Sequence, residues 1–173
     1  NEKLRKNKAL NNEIGIGAKS IAHTEAKVLY FKINDIVDRR NQIAHGAEID
    51  DLLDNPMLIP YINFLEKYCQ AIFDVLMQEY LGLESKHKFQ QIEVVHKVLE
   101  HSIIGFEIEQ YIINEGDMFM VETTNGRFHK TRILELQKDD EQYPSLEITD
   151  KADIAVRIDV RINKNCKFYI QKK

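Results

Sequence analysis

In the segment Arg39-Arg40-Asn41-Gln42-Ile43-Ala44-His45-Gly46, a guanidinium and an imidazole stand five positions apart. Arg40 and His45 could between them cut a polynucleotide whose ribose carries a 2′-hydroxyl. Such a cut needs a base for the hydroxyl proton, a cation for the charge growing on the phosphate, and an acid for the leaving 5′-oxygen. Imidazole serves as acid or base because its unperturbed pKa is about 6.5. Guanidinium serves the phosphate because it is permanently charged and presents its donors in a planar fork. The plainer alternative is that Arg40 pairs with Asp38 or Glu48 on a solvated face while His45 finishes a helix.

Five residues of regular helix turn through about 500°, so the two side chains would stand roughly 140° apart around the axis. They can converge if the helix ends near His45, as Gly46 allows. They can also meet their counterparts in a two-fold dimer, which would gather two copies of each around one cleft. The apolar positions Leu29, Ile33, Ile36 or Val37, and Ile43 give this helix one stripe, starting at about Thr24. Residues 1–20, with Lys3, Arg5, Lys6, Lys8, Gly15 and Gly17, read as a polar tail or loop. After a turn at Asp50, Asp51, Asp54, Asn55 and Pro56, a second helix shows Leu58, Ile62, Leu65, Cys69, Ile72 and Leu76 at steps of three and four, and ends near Gly82. Tyr61, Phe64, Tyr68 and Val75 widen its apolar face, a breadth that implies burial against more than one neighbour, a second copy of the chain included.

From His101 onward the pattern is β. Asn125-Gly126 marks a hairpin, and Ile154, Val156, Ile158, Val160 and Ile162 alternate with period two. The expected organisation is α+β: a helical unit over residues 1–84, a linker over 85–100, and a small antiparallel β-barrel over 101–173.

Hydrophobic residues make up 43% of the 173-residue chain and charged residues 30%, the balance of a folded domain rather than a disordered one. No apolar run is long enough to span a bilayer and no signal peptide is visible, so a cytoplasmic protein without a membrane partner is expected. The first residue is Asn1, which implies trimming or a place within a longer protein. A net charge of −4 announces no global positive field, which argues against tight non-specific nucleic-acid binding but not against a local site. Cys69 and Cys166 are far apart, and His96 and His101 lack a third ligand, so neither metal nor cofactor is expected. The hairpin residues Arg127, His129, Lys130 and Arg132, with Phe128 among them, are candidates for holding RNA; the alternative is a sheet edge guarded by charge. Arg157, Arg161, Lys164 and Lys167, near Tyr169, form a second basic run of the same standing.

The helix followed by Arg40-Asn41-Gln42-Ile43-Ala44-His45-Gly46, with a long amphipathic helix after it, resembles the R-x4-6-H motif of HEPN domains, in particular the RNase group with a polar residue directly after the arginine. The resemblance implies that Arg40 and His45 are the catalytic pair and that Asn41 supplies the polar group that orients the site. It further implies a metal-independent endoribonuclease leaving a 2′,3′-cyclic phosphate, a homodimer acting on RNA, and a defence or toxin–antitoxin setting with an antitoxin or other protein partner. The family fold is a bundle of four or five helices; two long ones are legible here, which places the others upstream of Asn1 or in a partner. The β region, over roughly 101–171, weakly resembles the second, barrel domain of elongation-factor-like translational GTPases through Gly116-Asp117 and the strands Lys130–Gln137 and Ala152–Ile158. No GTPase motif accompanies it, which implies at most a docking barrel. Two other readings stay open: an inactive HEPN dimerisation and RNA-binding module, and an interaction protein acting through its barrel.

Overall fold

A computed structural model describes residues 2–5, 10–11, 30–46 and 54–173. The chain is α+β, helices first and antiparallel strands after them. It divides into two compact units, Asn1–Met77 and Gln78–Lys173.

The first unit contains α1 (Glu2–Arg5), α2 (Phe31–Ala44) and the first part of α3 (Asn55–Lys88). Asp54 caps α3, its Oδ1 accepting the Met57 amide at 2.9 Å and its carbonyl accepting the Leu58 amide at 3.1 Å. The core of this unit is small: Leu10, Phe64 and Ala71, with Leu4, Tyr30, Ile33 and Tyr68 packed against them. The N-terminal segment is therefore not simply a tail. Leu10 and Asn11 are helical and buried, because Leu10 supplies one of the few apolar side chains that can cover Phe64. The start of the expected helix at Thr24, and the turn residues Asp50 and Asp51, lie outside the described residues.

The last turns of α3 belong to the second unit, and the helix does not stop near Gly82. Gly82 is there for room: a Cβ on it would stand 3.3 Å from the Phe128 ring. The helix end is closed by the chain's own C-terminus, where Lys172 Nζ reaches the carbonyls of Lys86 and His87 at 3.2 and 3.4 Å, and its amide bonds Lys88 O at 2.8 Å. The expected linker over 85–100 instead holds the end of α3, β1 (Phe89–Gln91) and β2 (Val95–Leu99), both hydrogen-bonded into sheets.

The remaining strands are β3 (Ile103–Ile108), β4 (Tyr111–Asn114), β5 (Met118–Glu122), β6 (Phe128–Arg132), β7 (Glu135–Lys138), β8 (Glu141–Gln142), β9 (Ser145–Ile148), β10 (Ala152–Arg157) and β11 (Lys167–Gln171). They form sheets of order β1-β11-β5-β6, β2-β3-β10-β7-β8 and β4-β9, every pairing antiparallel. Their inward side chains share one core, in which Ile104, Phe106, Ile113, Phe119, Val121, Leu136, Val156 and Phe168 are almost completely buried. The period-two run 154–162 is strand only as far as Arg157. Beyond it the chain turns to bond the β2–β3 corner, Ile158 N to Ser102 O at 3.0 Å and Ile162 N to His101 O at 2.8 Å, while Ile158 and Ile162 still point into the core.

Candidate active site

Helix α2 positions the motif. It ends at Ala44, with His45 as the cap residue and Gly46 in the left-handed region at φ +68°. The His45 amide bonds the Asn41 carbonyl at 3.0 Å, and the Gly46 amide bonds Ile43 O at 3.2 Å, a closing turn that suits glycine. The regular helix thus stops before His45, which removes the requirement that Arg40 and His45 follow helical spacing. Arg40 and His45 are both exposed; Asn41 is half-buried.

Asn41 contacts the side chain of Arg40 and the backbone of His45. Its side-chain oxygen accepts a hydrogen bond from Arg40 Nη1 at 3.0 Å, and its carbonyl holds the backbone of His45. Arg40 is thereby steered along its own helix while most of its donors stay open to a ligand, and the imidazole stands at the helix end in solvent. This arrangement can offer a fixed cation and a proton-transfer group to a phosphodiester.

A second polar group sits one turn earlier on α2. Asp35 Oδ2 accepts hydrogen bonds from Arg39 Nε at 3.1 Å and from the Tyr61 hydroxyl on α3. The Tyr61 hydrogen bond, and after it Arg39, holds the Asp35 carboxyl below the usual carboxylate range against the opposing effect of burial; the same bond raises the Tyr61 phenol. The Asp35/Arg39 spacing of four residues was legible as a helical ion pair, whereas Tyr61 reads in the sequence as part of an apolar face.

The hairpin candidates do not form one patch. Along β6, Phe128 and Lys130 share the face that packs against the last turns of α3. Lys130 Nζ is bound to the buried Glu84 carboxylate at 2.7 Å and lies 5.8 Å from the Phe89 ring centre, so it is engaged in holding the unit together. Phe128 packs beside Tyr169 at a ring separation of 6.4 Å rather than standing free to stack. Arg127, His129 and Arg132 are exposed. In the second basic run, Arg157 pairs with Glu135, while Lys167 and the Tyr169 hydroxyl both hold Glu122, at 3.3 and 2.6 Å. His96 bonds Asp153 at 2.8 Å and His101 bonds Ile162 O at 3.2 Å. Among the described residues, no group of three or more His, Cys, Asp or Glu side chains is placed to hold a metal ion.

Residues 1–78 match the family described as RiboL-PSP-HEPN. The chain carries a HEPN-family domain. The match covers 78 of 173 residues, so the name belongs to this segment and not to the whole chain. Arg40, Asn41 and His45 all fall inside it, and a nuclease or RNA-related role follows at the level of the family. No curated protein matches the chain. Among solved structures, the crystal structure of GDP-bound aIF5B from Aeropyrum pernix is similar at 18% identity and a TM-score of 0.31, over 76% of this chain and 22% of that one. The chain spans about a fifth of that protein's length. No helix among the described residues is long and apolar enough to cross a membrane.

Proposed function

We propose that the HEPN segment is a metal-independent endoribonuclease that works as a homodimer in a defence or toxin–antitoxin setting. The observation that supports this reading is the grouping of Arg40, Asn41 and His45 around an exposed helix end within the family-matched residues. In the proposed reaction the ribose 2′-oxygen attacks the adjacent phosphorus and gives up its proton, the bond from phosphorus to the 5′-oxygen breaks, and that oxygen takes a proton. The products are a 2′,3′-cyclic phosphate and a 5′-hydroxyl. His45 transfers the proton, Arg40 holds the charged phosphate oxygens, and Asn41 keeps Arg40 in place. A second copy would bring a second imidazole to the cleft, so that one acts as base and the other as acid.

Full-length chain incubated with end-labelled RNA in excess EDTA is expected to cleave as fast as without it and to leave cyclic phosphate ends. Products ending in a 3′-hydroxyl, or activity abolished by the chelator, would exclude the mechanism.

Dimerisation is supported by the apolar side chains that a single copy leaves open on α3, among them Met57, Ile59, Ile62 and Leu65. Light scattering at micromolar concentration is expected to give twice the chain mass for wild type and half that value for Ile62→Asp. A wild-type monomer would remove the two-copy site. Arg127, His129 and Arg132 remain proposed RNA contacts of the β unit; Lys130 is better explained by Glu84.

A further inference from the structure

We propose that Asp35, Tyr61 and Arg39 form a positioning clamp that fixes the rotation of α2 about its own axis, and with it the placement of Arg40, Asn41 and His45. The value of the clamp to catalysis rests on the ribonuclease reading; the clamp itself does not.

Apolar packing alone defines the rotation of α2 poorly. None of its residues is fully buried; Ile33 and Ile36 are half-buried, and Phe31, Val37 and Ile43 are 67%, 48% and 63% exposed. A helix held by such partial contacts can roll with little change in buried area. Hydrogen bonds to a charged group are directional and resist that motion. Asp35 provides them on a single oxygen, which receives both the Tyr61 hydroxyl and Arg39 Nε. Tyr61 is itself well placed, being three residues from Phe64 in the core of this unit. One turn earlier, Lys32 Nζ bonds the carbonyl of Pro60, the residue next to Tyr61, at 3.3 Å and lies 5.6 Å from the Phe64 ring centre. Two polar contacts a turn apart thus grip adjacent residues of α3.

The catalytic consequence follows from leverage. A helical side chain stands about 5–6 Å from the axis, so a roll of about 20° carries it about 2 Å. Displacements of about 1 Å can cost about 10²-fold in rate. Arg40 is the next residue after Arg39, so whatever holds Arg39 sets the direction from which Arg40 departs. The Tyr61 hydrogen bond, and then Arg39, lower the Asp35 pKa from its ordinary value, which favours the charged acceptor that both donors use.

The test uses the full chain labelled for NMR. Tyr61→Phe removes the hydroxyl and keeps the ring; Asp35→Asn removes the charge and keeps the size. In both folded variants the His45 imidazole and Arg40 guanidinium signals are expected to move or broaden. The kcat for RNA cleavage is expected to fall about 10-fold or more with KM within about twofold of wild type. His45 and Arg40 signals at their wild-type positions in both variants would overturn the clamp, whatever the kinetics. Unchanged kcat despite moved signals would overturn its catalytic role. Moved signals in a chain whose wild type leaves RNA intact would keep the clamp and overturn the ribonuclease reading.

Discussion

His45→Ala is expected to slow RNA cleavage by about 10²–10⁴-fold, the usual contribution of one acid–base group, while RNA binding is retained. The two halves of this expectation belong together. His45 lies beyond the last residue of α2 and is exposed, so removing its ring leaves no cavity and takes away no packing. Arg40 should fail differently. Arg40→Lys keeps the charge but loses the planar fork, so cleavage drops and some activity remains. Arg40→Ala should lose activity and some affinity together. Affinity is best followed by fluorescence anisotropy at one fixed salt concentration, since phosphate contacts weaken as salt rises. Circular dichroism should show all three variants folded. Full activity in folded His45→Ala would refute the catalytic assignment and leave a HEPN scaffold acting by other means.

Lys130→Met is expected to destabilise the β unit by about 3–5 kcal/mol at neutral pH, because it strips a buried carboxylate of its main partner. The Glu84 side chain is only 4% exposed, and its Oε2 has no hydrogen-bond partner among the described residues. Compensation falls on Oε1, from Lys130 at 2.7 Å and Lys88 at 3.4 Å. Lys88 is 62% exposed, so solvent weakens its share. Burial pushes the Glu84 carboxyl up, but Lys130, and then Lys88, outweigh it and leave it below its ordinary value. A carboxylate depressed in the folded chain contributes stability above its unfolded pKa and loses it as pH falls through the folded pKa. The deficit of Lys130→Met should therefore be full at about pH 7 and smaller at about pH 4, because protonation of the buried carboxyl removes the charge that Lys130 compensates. Urea unfolding at both pH values measures this, and Glu84→Gln combined with Lys130→Met should recover most of the loss. Wild-type stability with weakened RNA binding would instead make Lys130 a phosphate contact.

How much was legible in the sequence depended on whether a signal was local. The end of α2 at Gly46 and the hairpin at Asn125-Gly126 were readable because a glycine with positive φ closes each, a requirement set by a few adjacent residues. The Arg40-Asn41…His45 pattern is local in the same sense, a spacing within one helix and its end. Other features were set by distant parts of the chain. Gly82 reads as a helix stop and is a socket for the Phe128 ring, 46 positions away. Lys130 reads as one of four cations on a hairpin, and its role is fixed by a glutamate on a helix. Leu10 reads as part of a polar segment and is buried because the core of the first unit is too small to do without it. The short strands β8 and β9 carry too few residues to establish a period, and only their partners define them.

The side-chain amide of Gln78 bonds both backbone groups of Phe128, Nε2 to O at 3.0 Å and N to Oε1 at 2.7 Å. Phe128 lies on β6, the outermost strand of its sheet, so one glutamine does for that residue what a further strand would. The consequence concerns inheritance. A gene fragment that begins at the first strand would encode a sheet that lacks this cover at Phe128 and the Glu84 partner of Lys130. The piece able to pass intact from one protein to another starts about a dozen residues earlier, in the middle of a helix. Recombination that respected the helix boundaries would break it, and a lineage that carried this β unit elsewhere would be expected to carry the tail of α3 along.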